Sequence, residues 1–255
     1  MLIALPPSEG KTAPTTGPAL DLDLLSIQPF TDLRHELVRE LETVSAGDNA
    51  LDVLGVGATV RGEVEDQQHL SSLPCAPAHE VYTGVLYQAA EFSSLSEEEM
   101  ARAGDSVLIF SGLFGATSPT DLIPRYRLKM GVKLPAGTPK ARWRKLWHHL
   151  DERADGQLVI DARSSDYAGW SIPDSATHVK IGAVRETDGI RKVITHNAKY
   201  YRGLFTRLAL TAQAVPTTAD DLAHLGSEQP EIDAIELSGT GRNLTLTVVD
   251  REQAA

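Results

Sequence analysis

The chain has one cysteine in 255 residues, only 5% aromatic side chains, and no long apolar run. Each scarcity excludes something. Cys75 has no partner for an internal disulfide, and no Lys, Arg or His within three positions to activate it. The expectation is an inert loop thiol in a reducing, cytoplasmic compartment. No apolar stretch reaches 18 residues, and the five apolar residues at the start are too few for a secretory leader. Neither a membrane span nor export is expected. His148 and His149 are adjacent and point apart, and His-x3-His and Cys-x2-Cys spacings are absent. No metal and no cofactor are expected. Ser8-Glu9-Gly10-Lys11-Thr12 ends like a phosphate loop, but Leu5 stands where that loop needs glycine. Pro14, Gly17 and Pro18 also prevent the helix that should follow the lysine.

What is present suits a globular protein. Hydrophobic residues make up 42% and charged residues 23%. The net charge of −11 argues against a nucleic-acid partner, but its distribution argues the other way. Residues 122–150 hold eight Lys/Arg and no acid, and residues 189–219 hold five and no acid. Such segregation suggests one anion-binding face. The competing reading is that acidic segments pair with these basic ones across the fold.

Periodicity and punctuation predict a single α/β domain over 1–255. A mixed β-sheet is flanked by helices and carries an inserted helix-hairpin-helix-like element. Strands are expected at 1–5, 106–110, 158–161 and 244–249, the last closing the sheet, with a hairpin over 179–195 around Asp188-Gly189. Thr31 is expected to cap a helix to Val44, and Asn197 one to Gln213. Ser96 and Glu99 form a capping box for a helix ending at Gly104. Thr138 and Pro139 start a helix to Leu150, with Trp143 and Trp147 inward. Leu54-Gly55-Val56-Gly57 sits between two short predicted helices.

The richest stretch is 111–131, SGLFGATSPTDLIPRYRLKMG. It follows neither the helical nor the strand period, is punctuated by Gly112, Gly115, Pro119 and Pro124, and is apolar enough to pack. A packed loop bearing Ser111, Asp121, Arg125, Tyr126 and Arg127 is a natural place for a site. Together with Pro6-Pro7-Ser8-Glu9-Gly10-Lys11, Ser164-Ser165-Asp166-Tyr167 and Ala198-Lys199-Tyr200-Tyr201-Arg202-Gly203, it resembles the YaaA family of bacterial peroxide-stress proteins. The likeness runs from residue 1 to about 210. It departs at Ser118, Lys129, Arg163, Asp166, Tyr200 and Tyr201, where that family carries other charges or sizes. The resemblance implies a role in resisting hydroperoxide stress and binding of double-stranded DNA through a helix-hairpin-helix and a positive cleft.

Two functional readings follow. In the first, Gly55 and Gly57 grip a phosphate while Arg125, Lys140, Arg142 and Arg144 extend a rail along double-stranded DNA. In the second, the same cleft is an enzyme site for a small phosphorylated or carboxylated substrate. Ser8, Lys11, Arg127, Ser164, Lys199 and Arg202 would hold the anion, and Asp121, Tyr126, Asp166 and Tyr167 are the candidates for acid–base work. Lys11, Asp121, Arg127, Asp166, Lys199 and Arg202 are expected to meet around one cleft. The plainer reading for the charged residues is internal salt bridges and solvated helix faces.

Overall fold

The structure, a computed structural model, describes residues 1–187 and 189–251. Its strands are β1 Leu2–Leu5, β2 Ala76–Pro77, β3 Val107–Ser111, β4 Gly115–Thr117, β5 Leu122–Ile123, β6 Leu158–Asp161, β7 Thr177–Thr187, β8 Ile190–Val193, β9 Ala234–Thr240 and β10 Asn243–Arg251. Its helices are α1 Thr31–Ser45, α2 Ala50–Leu54, α3 Arg61–Asp66, α4 Ala78–Val81, α5 Val85–Ala90, α6 Glu97–Ser106, α7 Pro139–Trp143, α8 Asp151–Ala154, α9 Thr195–Thr211 and α10 Ala219–Ser227.

One sheet runs β4-β3-β1-β6-β7-β10-β9, and β8 pairs with β7. The strands from β3 through β10 in that order are parallel, while β4, β8 and β9 are antiparallel additions. The sheet is mixed, as predicted. Every residue of β1, β3 and β6 is buried, which is why these strands read as apolar runs broken only at the last residue of β3 and of β6, Ser111 and Asp161. β7 is long enough to pair twice along one edge, with β6 over Thr177–Lys180 and with β8 over Val184–Thr187. The turn residue Asp188 lies outside the described residues.

Some expectations need correction. Thr31 is the first residue of α1, not its cap; a 3-10 turn over Gln28–Phe30 leads directly into the helix. Asn197 is likewise inside α9, and its amide donates to Asp250 of β10 at 3.2 Å instead of capping. The capping box at Ser96 and Glu99 is present, but α6 continues to Ser106. The predicted helix to Leu150 stops at Trp143, although Thr138 does cap it. Tertiary packing overrides helical periodicity here. Trp143 and Trp147 stack at 5.9 Å and pack on Phe30 and Phe110, and Trp143 Nε1 donates to Gly112 O at 2.9 Å. Finally, β10 is interior. The edge is β9, whose alternation is obscured by exposed residues, and α10, with a capping box from Thr218 and Asp221, precedes it.

α9 crosses α5 closely at Gly203, where an added Cβ would lie 2.1 Å from Leu86 O. The glycine of the Ala198–Gly203 motif is therefore a packing requirement. Among the described residues no helix is long and apolar enough to cross a membrane.

Candidate active site and nucleic-acid face

The strand order places the site. From β1 the chain moves to β3 on one side, then crosses to β6 on the other. The loops leaving the carboxyl ends of β1 and β6 therefore diverge, and such a divergence opens a crevice in α/β sheets. Two of the singled-out motifs lie in these loops: 6–11 after β1, and 164–167 after β6. The third, 111–131, starts at the end of neighbouring β3.

Lys11 emerges from the first loop. Its backbone bridges Tyr82, and Thr12 N donates to Val81 O at 2.9 Å, so its position is fixed. Nζ donates to Ser8 O at 2.8 Å and lies 4.6 Å from the Tyr126 ring centre and 5.6 Å from that of Tyr82. Burial, with help from the nearby Arg127 guanidinium, lowers its ammonium to about 7. Tyr82 Oη and Tyr126 Oη share a 2.7 Å hydrogen bond, and Ser111 Oγ accepts from Phe114 N at 2.8 Å. Both tyrosines are buried, and burial pushes their pKa well up. Ser8 Oγ accepts from Thr83 N at 2.9 Å and donates to Gly10 O, so it braces the loop. Tyr167 is half-buried and raised to about 12, by burial first and then by Asp166, which is exposed beside it. Ser164 stands at the start of the 3-10 turn Ser165–Tyr167 and makes no capping bond.

The charges around this cluster are mostly paired. Arg127 grips Glu63 with two bonds of 2.7 and 3.1 Å, and its N–H donates to Gln67. Lys129 pairs with Glu9 at 3.1 Å. That bond holds Glu9 below its ordinary range, with smaller contributions from Lys199 and Arg127. Lys11, Arg127 and Lys199 thus share one electrostatic neighbourhood.

Asp121 and Arg202 are engaged elsewhere. The Asp121 carboxylate accepts from Ser26 N, Ser26 Oγ and Ser118 N at 2.7–3.1 Å, close to buried Arg34. Arg202 donates to Ile181 O at 3.3 Å and faces Asp161; burial lowers its pKa. Asp161 is buried. Burial alone would raise its pKa, but bonds from Arg163 and His178 outweigh that and hold it far down. Because α9 begins at Thr195, Lys199 and Arg202 sit past its first turn, where the helix dipole is weaker than expected.

The segment expected to be helix-hairpin-helix-like folds as α2, a glycine turn, a 3-10 turn over Ala58–Val60 and α3. Gly55 is left-handed at φ +62°, and no atom would obstruct a Cβ there, so the conformation alone selects glycine. The turn is exposed from Gly57 to Thr59. α3 docks on the 111–131 segment through Arg127–Glu63 and Arg125–Asp66, the latter at 2.7 Å. These acids look repulsive toward DNA in sequence; in the fold they neutralise arginines. Arg142 is engaged by Glu36 and Glu40 of α1. Lys140 and Arg144 are exposed and, among the described residues, unpaired.

The pairing reading therefore accounts for Arg125, Arg127, Lys129, Arg142, Arg191 and Arg207. Sequence reasoning missed Arg34, although a cation within the buried 34/37/38/41 stripe of α1 was its signal. It also missed the Asp161–Arg163–His178 group, which local sequence does not reveal. Among the described residues no three His, Cys, Asp or Glu side chains converge as a metal would require. Cys75 is buried, and burial raises its thiol to about 11.

A family model described as peroxide stress protein YaaA matches residues 1–234. A UPF0246 protein of Streptomyces coelicolor is 38% identical over 258 residues, covering 99% of both chains. One from Corynebacterium glutamicum is 39% identical over 228 residues, covering 87% of this chain and 90% of its own. One from Corynebacterium efficiens is 37% identical over 254 residues, covering 98% and 100%.

Proposed function

The chain belongs to the YaaA family of peroxide stress proteins, and on that premise we propose that it limits hydroperoxide damage in the cytoplasm by binding double-stranded DNA. The observation that carries the reading is the turn between α2 and α3. Its left-handed Gly55 bends the chain so that the backbone from Gly57 to Thr59 faces solvent at the start of a helical segment. Exposed N–H groups there suit a phosphate oxygen and read no base. Two arginine–carboxylate pairs anchor the turn to the 111–131 segment, so it is held without a ligand. Exposed Arg61, Lys133, Lys140, Arg144 and Lys145 supply cations that no carboxylate occupies among the described residues. Binding of this kind is sequence-tolerant and salt-sensitive.

The test separates free from engaged cations. For a short duplex titrated at several salt concentrations, Lys140→Ala/Arg144→Ala should flatten the log–log salt slope by up to about 1.8, roughly 0.9 per lost contact. Arg142→Ala should leave the slope unchanged, because Glu36 and Glu40 already hold that guanidinium. No binding at low salt, or identical slopes for all three proteins, would overturn the proposal.

The second reading, an enzyme site for a small anionic substrate, is favoured by the Lys11–Tyr126–Tyr82 cluster at the sheet's carboxyl ends. Its acid–base candidates reduce to Tyr126, Asp166 and Tyr167, since Asp121 is engaged with Ser26 and Ser118.

A further inference from the structure

Lys11 has chemistry that neither phosphate contact nor anion binding uses. Its amine donates to one carbonyl, Ser8 O, and rests against two tyrosine rings. Among the described residues no carboxylate lies within ion-pair distance of it. The two acids that act on it electrostatically, Glu63 and Glu9, are bonded to Arg127 and Lys129. A lysine drawn this far in for structural reasons ordinarily takes a carboxylate of its own. The bridge to Tyr82 holds its backbone still. Its side chain leaves the loop after β1, at the carboxyl end of the sheet, with the hydrogen-bonded Tyr82–Tyr126 hydroxyl pair next to it.

We propose that Lys11 is an imine-forming lysine, whose amine condenses with the aldehyde of a phosphate-bearing ligand held at the carboxyl ends of β1 and β6. The amine lone pair attacks the carbonyl carbon, and the carbonyl π pair moves to oxygen. Proton transfer from nitrogen to oxygen gives a carbinolamine, and loss of that hydroxyl as water forms the C=N bond. The balance is amine plus aldehyde to imine plus water, with no oxidant or reductant. The phosphate is called for by Lys199, an exposed cation in the same neighbourhood that no carboxylate engages among the described residues.

An attacking amine must be uncharged near neutral pH. Burial lowers the Lys11 ammonium most, to about 7, and Arg127 and Lys129 add to the effect. Glu63, Glu9 and the faces of Tyr82 and Tyr126 favour the charged form, but more weakly. An ordinary surface lysine has almost no free amine at that pH. The inference does not depend on DNA binding. The ligand chemistry has two sources: a free aldehyde phosphate, or the ring-opened sugar of a base-less site in duplex DNA.

The full chain is incubated at pH 7.5 with glyceraldehyde 3-phosphate, and separately with a duplex carrying one base-less site. Cyanoborohydride then reduces any imine, and peptide mass spectrometry maps the adduct. Reduction at Lys11 should exceed the mean of the seven other lysines by about 50-fold or more, and should rise with a midpoint near pH 7. Lys11→Gln should lose the dominant adduct while keeping the wild-type circular dichroism. An adduct with the free aldehyde alone assigns a small-molecule ligand; one with the duplex alone assigns a DNA aldehyde. Adducts spread evenly over the lysines in both arms of the wild-type experiment, or none at Lys11 in either, would overturn the inference. If that occurred while salt-dependent duplex binding persisted, the inference would fail by itself and the proposed function would stand.

Discussion

Arg34 and Lys11 both bring a cation against the 111–131 segment, and they are satisfied in opposite ways. Arg34 is fully buried in α1 and donates to Phe114 O, Ala116 O and Ser26 O at 3.0, 2.8 and 2.6 Å. Burial lowers its pKa to about 10, and Asp121 counters that. Asp121 in turn ties Ser26 to Ser118. This side of the segment is a network that clamps the backbone through Nε and Nη2, while Arg34 Nη1 is buried with no hydrogen-bond partner among the described residues. Lys11 has one carbonyl, two ring faces and, among the described residues, no carboxylate within ion-pair distance, at the end of the sheet where loops diverge. Depth alone therefore does not distinguish a structural cation from a functional one; the number of backbone carbonyls it holds does, three for Arg34 against one for Lys11.

The comparison breaks first at Arg34. Arg34→Met leaves two buried carbonyls and the part-buried Ser26 O without their donor, and Asp121 without its counter-charge. Urea unfolding should show a loss of about 3–5 kcal/mol. A loss under about 1 kcal/mol would mean that the clamp is ornamental and that the two cations do not differ in kind.

Lys11→Met should act in the opposite direction. The folded ammonium has a pKa lowered to about 7, against an ordinary lysine value of 10.5. The cost of burying the charge is therefore fully present below about pH 7. It fades as pH rises from there and is gone above the unfolded value. The variant should gain about 1–2 kcal/mol at pH 6–7, less than the full shift implies because the ring contacts are lost, and nothing near pH 11. Stability curves at both pH values check this; a gain that does not fade with pH would place the effect in packing instead of charge. Stabilisation together with loss of the imine adduct would mark a residue kept for chemistry at a cost in stability.

The smallest effect concerns Cys75. Burial raises its thiol to about 11, so it carries little thiolate at neutral pH. Cys75→Ser should cost about 1 kcal/mol or less in melting experiments and leave survival of peroxide-challenged cells unchanged. A sensitised strain would return thiol chemistry to consideration.

Local pattern was enough for several elements. β1, β3 and β6 are short apolar runs whose type is legible because burial on both faces confines polar residues to the carboxyl ends, Ser111 in β3 and Asp161 in β6. The capping box of α6 and the Thr138 cap of α7 are read from four residues each. Legibility failed where distant residues decide. α7 ends early because two tryptophans must reach Phe30 and Phe110, and Asn197 is not a cap because Asp250, 53 residues away, takes its amide.

The same division runs through the candidate site. The order of residues along the chain determined that the cysteine was isolated, that the basic residues were clustered in sequence, and that Lys11 followed a strand. Tertiary structure decided which cations were free. Glu63, Asp66, Glu36 and Glu40 come from segments with no local link to the arginines they neutralise. Tertiary structure also made Lys11 distinctive, because desolvation and the nearness of Arg127 are properties of a packed environment and not of a residue type. A side chain's charge is written in the sequence, but whether that charge is partnered depends on what the fold brings within a few ångströms of it.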